Sequence, residues 1–147
     1  MPSRLSRHGL WFGAFEGAAP LAKTEVFDAE TMAQLTRALI EHAYEAGKCV
    51  VVGRGAQCIL QTLPEAFHVF VYAPWENKLA RAGRRVGQGT DVPEFIRAMD
   101  AERARYVRMN FGQDWADRHL YDLLVSSKPG DEATASIILA AMGEGCQ

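Results

Sequence analysis

The chain has 147 residues, 48% of them apolar and 23% charged, a composition that fits one globular domain with enough mass to bury a core. A net charge of −2 gives no whole-molecule attraction for polyanions, and no apolar run approaches the length of a membrane span or of a secretory signal core. Membrane insertion and nucleic-acid binding are therefore disfavoured at the outset. Charge is nevertheless uneven. Between Lys78 and Arg108 lie eight of the sixteen basic residues against four acids, so this segment should attract anions. Cys49, Cys58 and Cys146 lack metal-ligand spacing, and the first two sit in apolar runs, which predicts small core residues in a reducing, cytoplasmic setting.

Residues 1–28 form an irregular N-terminal segment in which Arg4, Arg7 and His8 lead into the aromatic patch Leu10-Trp11-Phe12 and a loop rich in Gly and Ala. Leu10 to Phe15 reads equally as a strand, an exposed apolar segment or the remnant of something longer. From Asp28 to Ala46 the spacing predicts a helix, with Asp28 as N-cap, Met32, Leu35, Leu39, Ile40 and Ala43 on one face, and Gly47 as the stop. Cys49 to Val52 then reads as a short strand buried on both faces, as in parallel sheets. Gly53-Arg54-Gly55 follows. Two glycines allow a tight strand-to-helix turn that presents Arg54 beyond the carboxyl end of the strand, where open α/β sheets hold ligands; the alternative is a turn with a solvated arginine.

Ala56 to Leu63 predicts a short helix and Phe67 to Tyr72 a second buried strand, in which His68 reads as a hydrogen-bonded core residue. Pro74 opens a helix carrying Lys78, Arg81, Arg84 and Arg85, which breaks over Gly83 to Gly89. A longer helix is predicted from about Val92 to Met109. On it Arg97, Asp100 and Arg103 are spaced at three, so Asp100 can orient either arginine; the alternative is a solvated face with weak intrahelical ion pairs. Asn110 to Leu120 reads as a structured loop, Tyr121 to Ser126 as a third strand, and Asp131 to Met142 as an amphipathic helix covering the sheet with Ile137, Ile138 and Ala141. This alternation implies parallel β-α-β units with right-handed crossovers.

Four stretches, VVVGRGA, FHVFVYAPWENKLAR, MDAERARYVRMNFGQDW and YDLLVSS, stand in the order and at the distances of a known family. From about Ala29 to Met142 the chain resembles the cytidylate-kinase-like proteins, a branch of the P-loop nucleoside monophosphate kinases. The resemblance implies an α/β fold with a three-layer parallel sheet of the P-loop nucleotide kinase type, here N-terminally truncated. It implies a kinase-like domain over residues 29–147 with a mobile lid at about 81–109. The activity implied is phosphoryl transfer from ATP, with Mg2+, to a nucleoside monophosphate or a similar small phosphate acceptor. Arg54 matches the arginine of the family's GR turn beside the acceptor. Asp100 and Arg103 match its DxxR pair, with Arg103 a phosphate contact held by Asp100. Arg81 and Arg85 fall at the start of the lid and join Arg103 as the catalytic arginines, while Arg108 joins Arg54 and Asp100 on the substrate side. Tyr106, Gln113, Asp114 and Trp115 match positions of structural or acceptor-side role.

The chemistry suits these residue types, because phosphoryl transfer asks mainly for positioning and for cations around the migrating group. One part of the pattern is missing. The family opens with a strand, a glycine-rich phosphate loop and a helix, and the nearest match here, Ala43 to Cys49, ends a helix and lacks the first glycine and the Ser or Thr that would ligate magnesium. The 147-residue chain alone is therefore expected to transfer phosphate poorly or not at all. The family's first strand lies mid-sheet, so its place must be closed by direct pairing of the flanking strands, by Leu10 to Phe15, by upstream sequence, or by another chain, which includes a homodimer. A noncatalytic nucleotide-sensing or protein-interaction module is the alternative reading.

Overall fold

The structure, a computed structural model, describes residues 29–143. The expectations placed on Leu10 to Phe15, on the Asp28 cap and on Cys146 lie outside those residues. The first helix, α1, spans Ala29–Ala46. Its inner line is Met32, Thr36, Ile40 and Tyr44, four residues apart, and the Thr36 hydroxyl is satisfied by donating to the Met32 carbonyl at 2.7 Å. Leu35 and Leu39, expected on the buried face, are exposed, because no described element lies over them. Gly47 and Lys48 both take left-handed backbone and end the helix.

The largest departure from the sequence pattern comes next. Cys49–Val52 is not a strand: Val50 is 91% and Val52 73% exposed, and Cys49 is exposed as well. A strand buried on both faces needs partners to take its N–H and C=O groups, and among the described residues no backbone ladder bond reaches this segment, in which the Cys49 thiol donates to the Ala43 carbonyl at 3.3 Å. Only Val51 turns inward. It packs with Ile40, Ala56 and Leu60, the last two from α2 (Ala56–Ile59) and the turn after it. The predicted helix to Leu63 is thus a single turn.

Two strands form a parallel pair. β1 (Val69–Tyr72) and β2 (Leu123–Ser126) run in register from Val69 opposite Leu123 to Tyr72 opposite Ser126. Asp122 clamps the start of the ladder: its Oδ2 accepts from the His68 N–H at 2.7 Å, and its own N–H donates to the His68 carbonyl at 2.8 Å. His68 therefore spends its backbone, not its ring, on polar contacts. The ring Nε2 is buried without a partner among the described residues, contrary to a hydrogen-bonded core histidine.

The connection between the strands is a right-sized helical crossover for a parallel pair. α3 (Trp75–Gly83) starts at Pro74, and α4 (Val92–Phe111) starts at Asp91, whose carboxylate accepts from the Glu94 N–H at 3.0 Å. The two helices pack against each other across the glycine-bearing turn between them. Ile96 and Val107, eleven residues and three turns apart, bury the inner face of α4. A short 3-10 turn, Arg118–Leu120, buries Leu120 before β2. α5 (Asp131–Gly143) then lies against β2 through the line Thr134, Ile138 and Ala141, leaving Ile137 exposed. The described residues are a mixed α/β unit with a small parallel sheet.

Candidate functional site

The GRG turn is built from three successive left-handed residues, Gly53 at φ 77°, Arg54 at 56° and Gly55 at 70°. Glycine adopts this region without cost, whereas Arg54 carries a Cβ and is held there by its neighbours. Gly55 is required for a second reason. A Cβ at this position would lie 2.2 Å from the ring of Phe111, the last residue of α4, so the turn sits flush against that helix end. Arg103 lies eight residues back along α4. The helix end on which the turn rests is thus about 12 Å from Arg103 along the α4 axis.

Arg103 Nη1 donates to Asp100 Oδ1 at 2.7 Å, and Lys78 Nζ, from α3, donates to Asp100 Oδ2 at 2.6 Å. One carboxylate therefore holds two cations, one from each helix, and the three groups together carry +1. Their side chains are 28% (Asp100), 33% (Lys78) and 41% (Arg103) exposed, half-desolvated rather than solvated. The Arg103 guanidinium also lies 5.9 Å over the Trp115 ring. Arg97 does not share Asp100; it faces Glu94 at 3.9 Å and stacks 5.4 Å over Trp75.

Trp115 leads into an aromatic cluster. Phe70 of β1 meets Trp115 edge-on at 5.4 Å and Tyr121 at 4.9 Å, and the Tyr121 hydroxyl donates to the Trp115 carbonyl at 2.8 Å. Burial pushes the Tyr121 phenol up to about 12, with the Cys58 thiol and the Asp114 carboxylate adding to the rise and a hydrogen bond with Gln57 opposing it. Burial likewise raises the Cys58 thiol. A phenol whose folded pKa lies above the unfolded value contributes stability that is complete below pH 10 and is lost as pH climbs towards 12. Ultraviolet phenolate titration should accordingly show a late phase near pH 12 that vanishes in Tyr121→Phe. A titration unchanged by that substitution would contradict the buried environment.

The remaining expected site residues stand apart from this core. Arg81 is engaged by Asp131 at the start of α5, Nη2 to Oδ1 at 2.7 Å, in an exposed pair. Arg85 is exposed at the end of α3, and Arg108 is exposed on α4. Five residues separate Arg103 from Arg108, about 140° around the helix, so the two project from different faces. The structure thus groups Asp100 and Arg103, sets the turn that carries Arg54 against the far end of α4, and does not bring Arg81, Arg85 or Arg108 into the cluster.

Arg103 is thus tied to Asp100 and lies over Trp115, and a model of the cytidylate kinase-like family matches residues 6–129. The chain belongs to the cytidylate kinase-like family. No curated protein matches it. Its fold is similar to a crystal structure of an uncharacterized protein from Eubacterium ventriosum ATCC 27560, with a TM-score of 0.69 over 81% of this chain and 69% of that one, at 23% identity. For this cytidylate kinase-like chain the family supports a nucleotide-kinase-like role, with nucleotides and a divalent metal as the general class of ligands.

Among the described residues no three His, Cys, Asp or Glu side chains come together to hold a metal ion, and Asp100 has both oxygens on cations. The GRG turn opens only a one-turn helix and follows an irregular segment rather than a strand. No described helix is long and apolar enough to cross a membrane.

Lys78 and Phe111 are the site residues that sequence reading overlooked. Lys78 lies 22 residues from Asp100 on a separate helix, so no local spacing pointed to their contact.

Proposed function

We propose that the chain is a nucleotide-kinase-like protein whose described residues form the acceptor side of a phosphoryl-transfer site. The acceptor is a nucleoside monophosphate of the cytidylate kind or a similar small phosphate. The observation that carries this reading is Arg103, fixed on Asp100 and stacked on Trp115, with donors left over to meet phosphate oxygens. Arg54, presented from a left-handed turn beside the end of α4, supplies the second guanidinium on the acceptor side together with Asp100, while Arg108 projects from another face of α4 and stands outside this pocket. Arg81, Arg85 and Arg103 act on the transferring phosphoryl group when the α3–α4 hairpin closes as a lid; Arg81 must first leave Asp131, an exposed pair that is weak enough to break. The parallel β1–β2 pair with its helical crossover supports a three-layer sheet of the P-loop kinase type.

The donor side is a different matter. With no glycine-rich phosphate loop recognisable in the sequence, this chain by itself should bind the acceptor and transfer phosphate poorly or not at all, in keeping with a nucleotide-sensing module derived from a kinase. Calorimetric titration with CMP, and separately with ATP-magnesium, tests both halves, alongside an ADP-release assay. Saturable CMP binding without turnover is the expected result. Robust ATP hydrolysis or transfer by the purified chain would refute the incomplete donor side, and absence of binding by any nucleoside monophosphate would refute the acceptor site.

A further inference from the structure

We infer that Lys78 is a second anion-binding cation of this site, acting with Arg103 on one phosphate group. The inference deepens the acceptor reading and rests on it. Lys78 reaches across from α3 to α4, and its ammonium is placed by a single partner, Asp100 Oδ2 at 2.6 Å. An ammonium has three donors, of which this contact uses one, and a guanidinium has five, of which Asp100 takes one from Arg103. Both heads are therefore aligned on one carboxylate with donors to spare, and both remain partly open to solvent.

Arg103 takes one oxygen of the carboxylate and Lys78 the other, so the carboxylate is engaged on both sides while the trio keeps one cation more than charge balance requires, a net +1. A phosphate monoester, at about −1.5 to −2, would draw on that excess through the spare donors without displacing Asp100, which keeps the two heads from repelling each other in its absence. Half-burial strengthens the attraction relative to a surface lysine, because the competing solvent is partly excluded. Since the cations come from the two helices of one hairpin, an anion held by both would also fasten α3 to α4.

Affinity for CMP and for cytidine, which lacks the phosphate, should be measured on the intact chain and on Lys78→Met and Lys78→Arg. Methionine keeps the length of the stem and removes the charge. CMP affinity should fall about tenfold in Lys78→Met, cytidine affinity should hold, and Lys78→Arg should recover CMP affinity to within about threefold. Equal losses for CMP and cytidine, or no loss for either, would overturn the assignment. If the parent chain binds no nucleoside monophosphate, the acceptor reading has failed, and inorganic pyrophosphate becomes the probe. Pyrophosphate binding that drops in Lys78→Met then upholds the anion site, and pyrophosphate binding that is absent or unaffected removes it.

Discussion

Replacing Gly55 with alanine should destabilise the fold by about 2–4 kcal/mol, a fall in melting temperature of roughly 8–16 °C. Two costs add. A Cβ in the left-handed region costs about 1–2 kcal/mol by itself, and here the new methyl would stand 2.2 Å from the Phe111 ring, well inside contact distance. The ring cannot simply withdraw. It meets Tyr106 edge-on at 6.2 Å, and the Arg37 guanidinium lies over it at 5.9 Å. No large side chain among the described residues is completely buried, so packing lost here has few deep contacts elsewhere to compensate it. Gly112→Ala is the internal control. Gly112 has nearly the same φ, 67°, but nothing within 4 Å of its would-be Cβ, so it should show the backbone cost alone. Equal losses at the two glycines in thermal or urea unfolding would mean that the turn does not rest on α4. A Phe111→Ala background should abolish most of the difference between them, as expected for two residues that act through one contact.

How much of this could be read from the sequence depended on where the stabilising partners lie. α1, α3, α4 and α5 were legible within a few residues because their determinants are local: a helix stop at Gly47, Pro74 before α3, the Asp91 cap with Glu94 three residues on, and Gly112 after Phe111. The parallel pairing of β1 and β2 followed from their alternation with helices. Cys49–Val52 misled for the opposite reason. Its apolar run is what a buried strand requires, but a strand exists only through its neighbours, and none of the described residues supplies one. In the site, Asp100 and Arg103 were legible because three residues on a helix is a contact distance. Lys78 was hidden by 22 residues of separation and needed the hairpin geometry, and the Arg81–Asp131 pair, 50 residues apart, had no local signal at all.

Arg103→Met should lower CMP affinity by about a hundredfold while leaving the melting temperature within a few degrees of the parent. The guanidinium is 41% exposed, so its ion pair with Asp100 adds little to folding stability. Binding is another matter. A charge-assisted contact to phosphate is worth about 1.5–3 kcal/mol, and Arg103 is fixed on two sides, by Asp100 at 2.7 Å and by the Trp115 ring. A preorganised fork loses less freedom when the phosphate arrives. Asp100→Asn should cost about tenfold, because it frees Arg103 and Lys78 without removing either. The double variant Asp100→Asn/Arg103→Met should then lose no more than about threefold beyond Arg103→Met, since the carboxylate contributes mainly through the arginine it positions. Additive losses in the double variant would instead make Asp100 a direct contact to the nucleotide. An Arg103→Met chain that binds CMP as well as the parent would place the phosphate elsewhere, and with it the acceptor site would leave the DxxR face of α4.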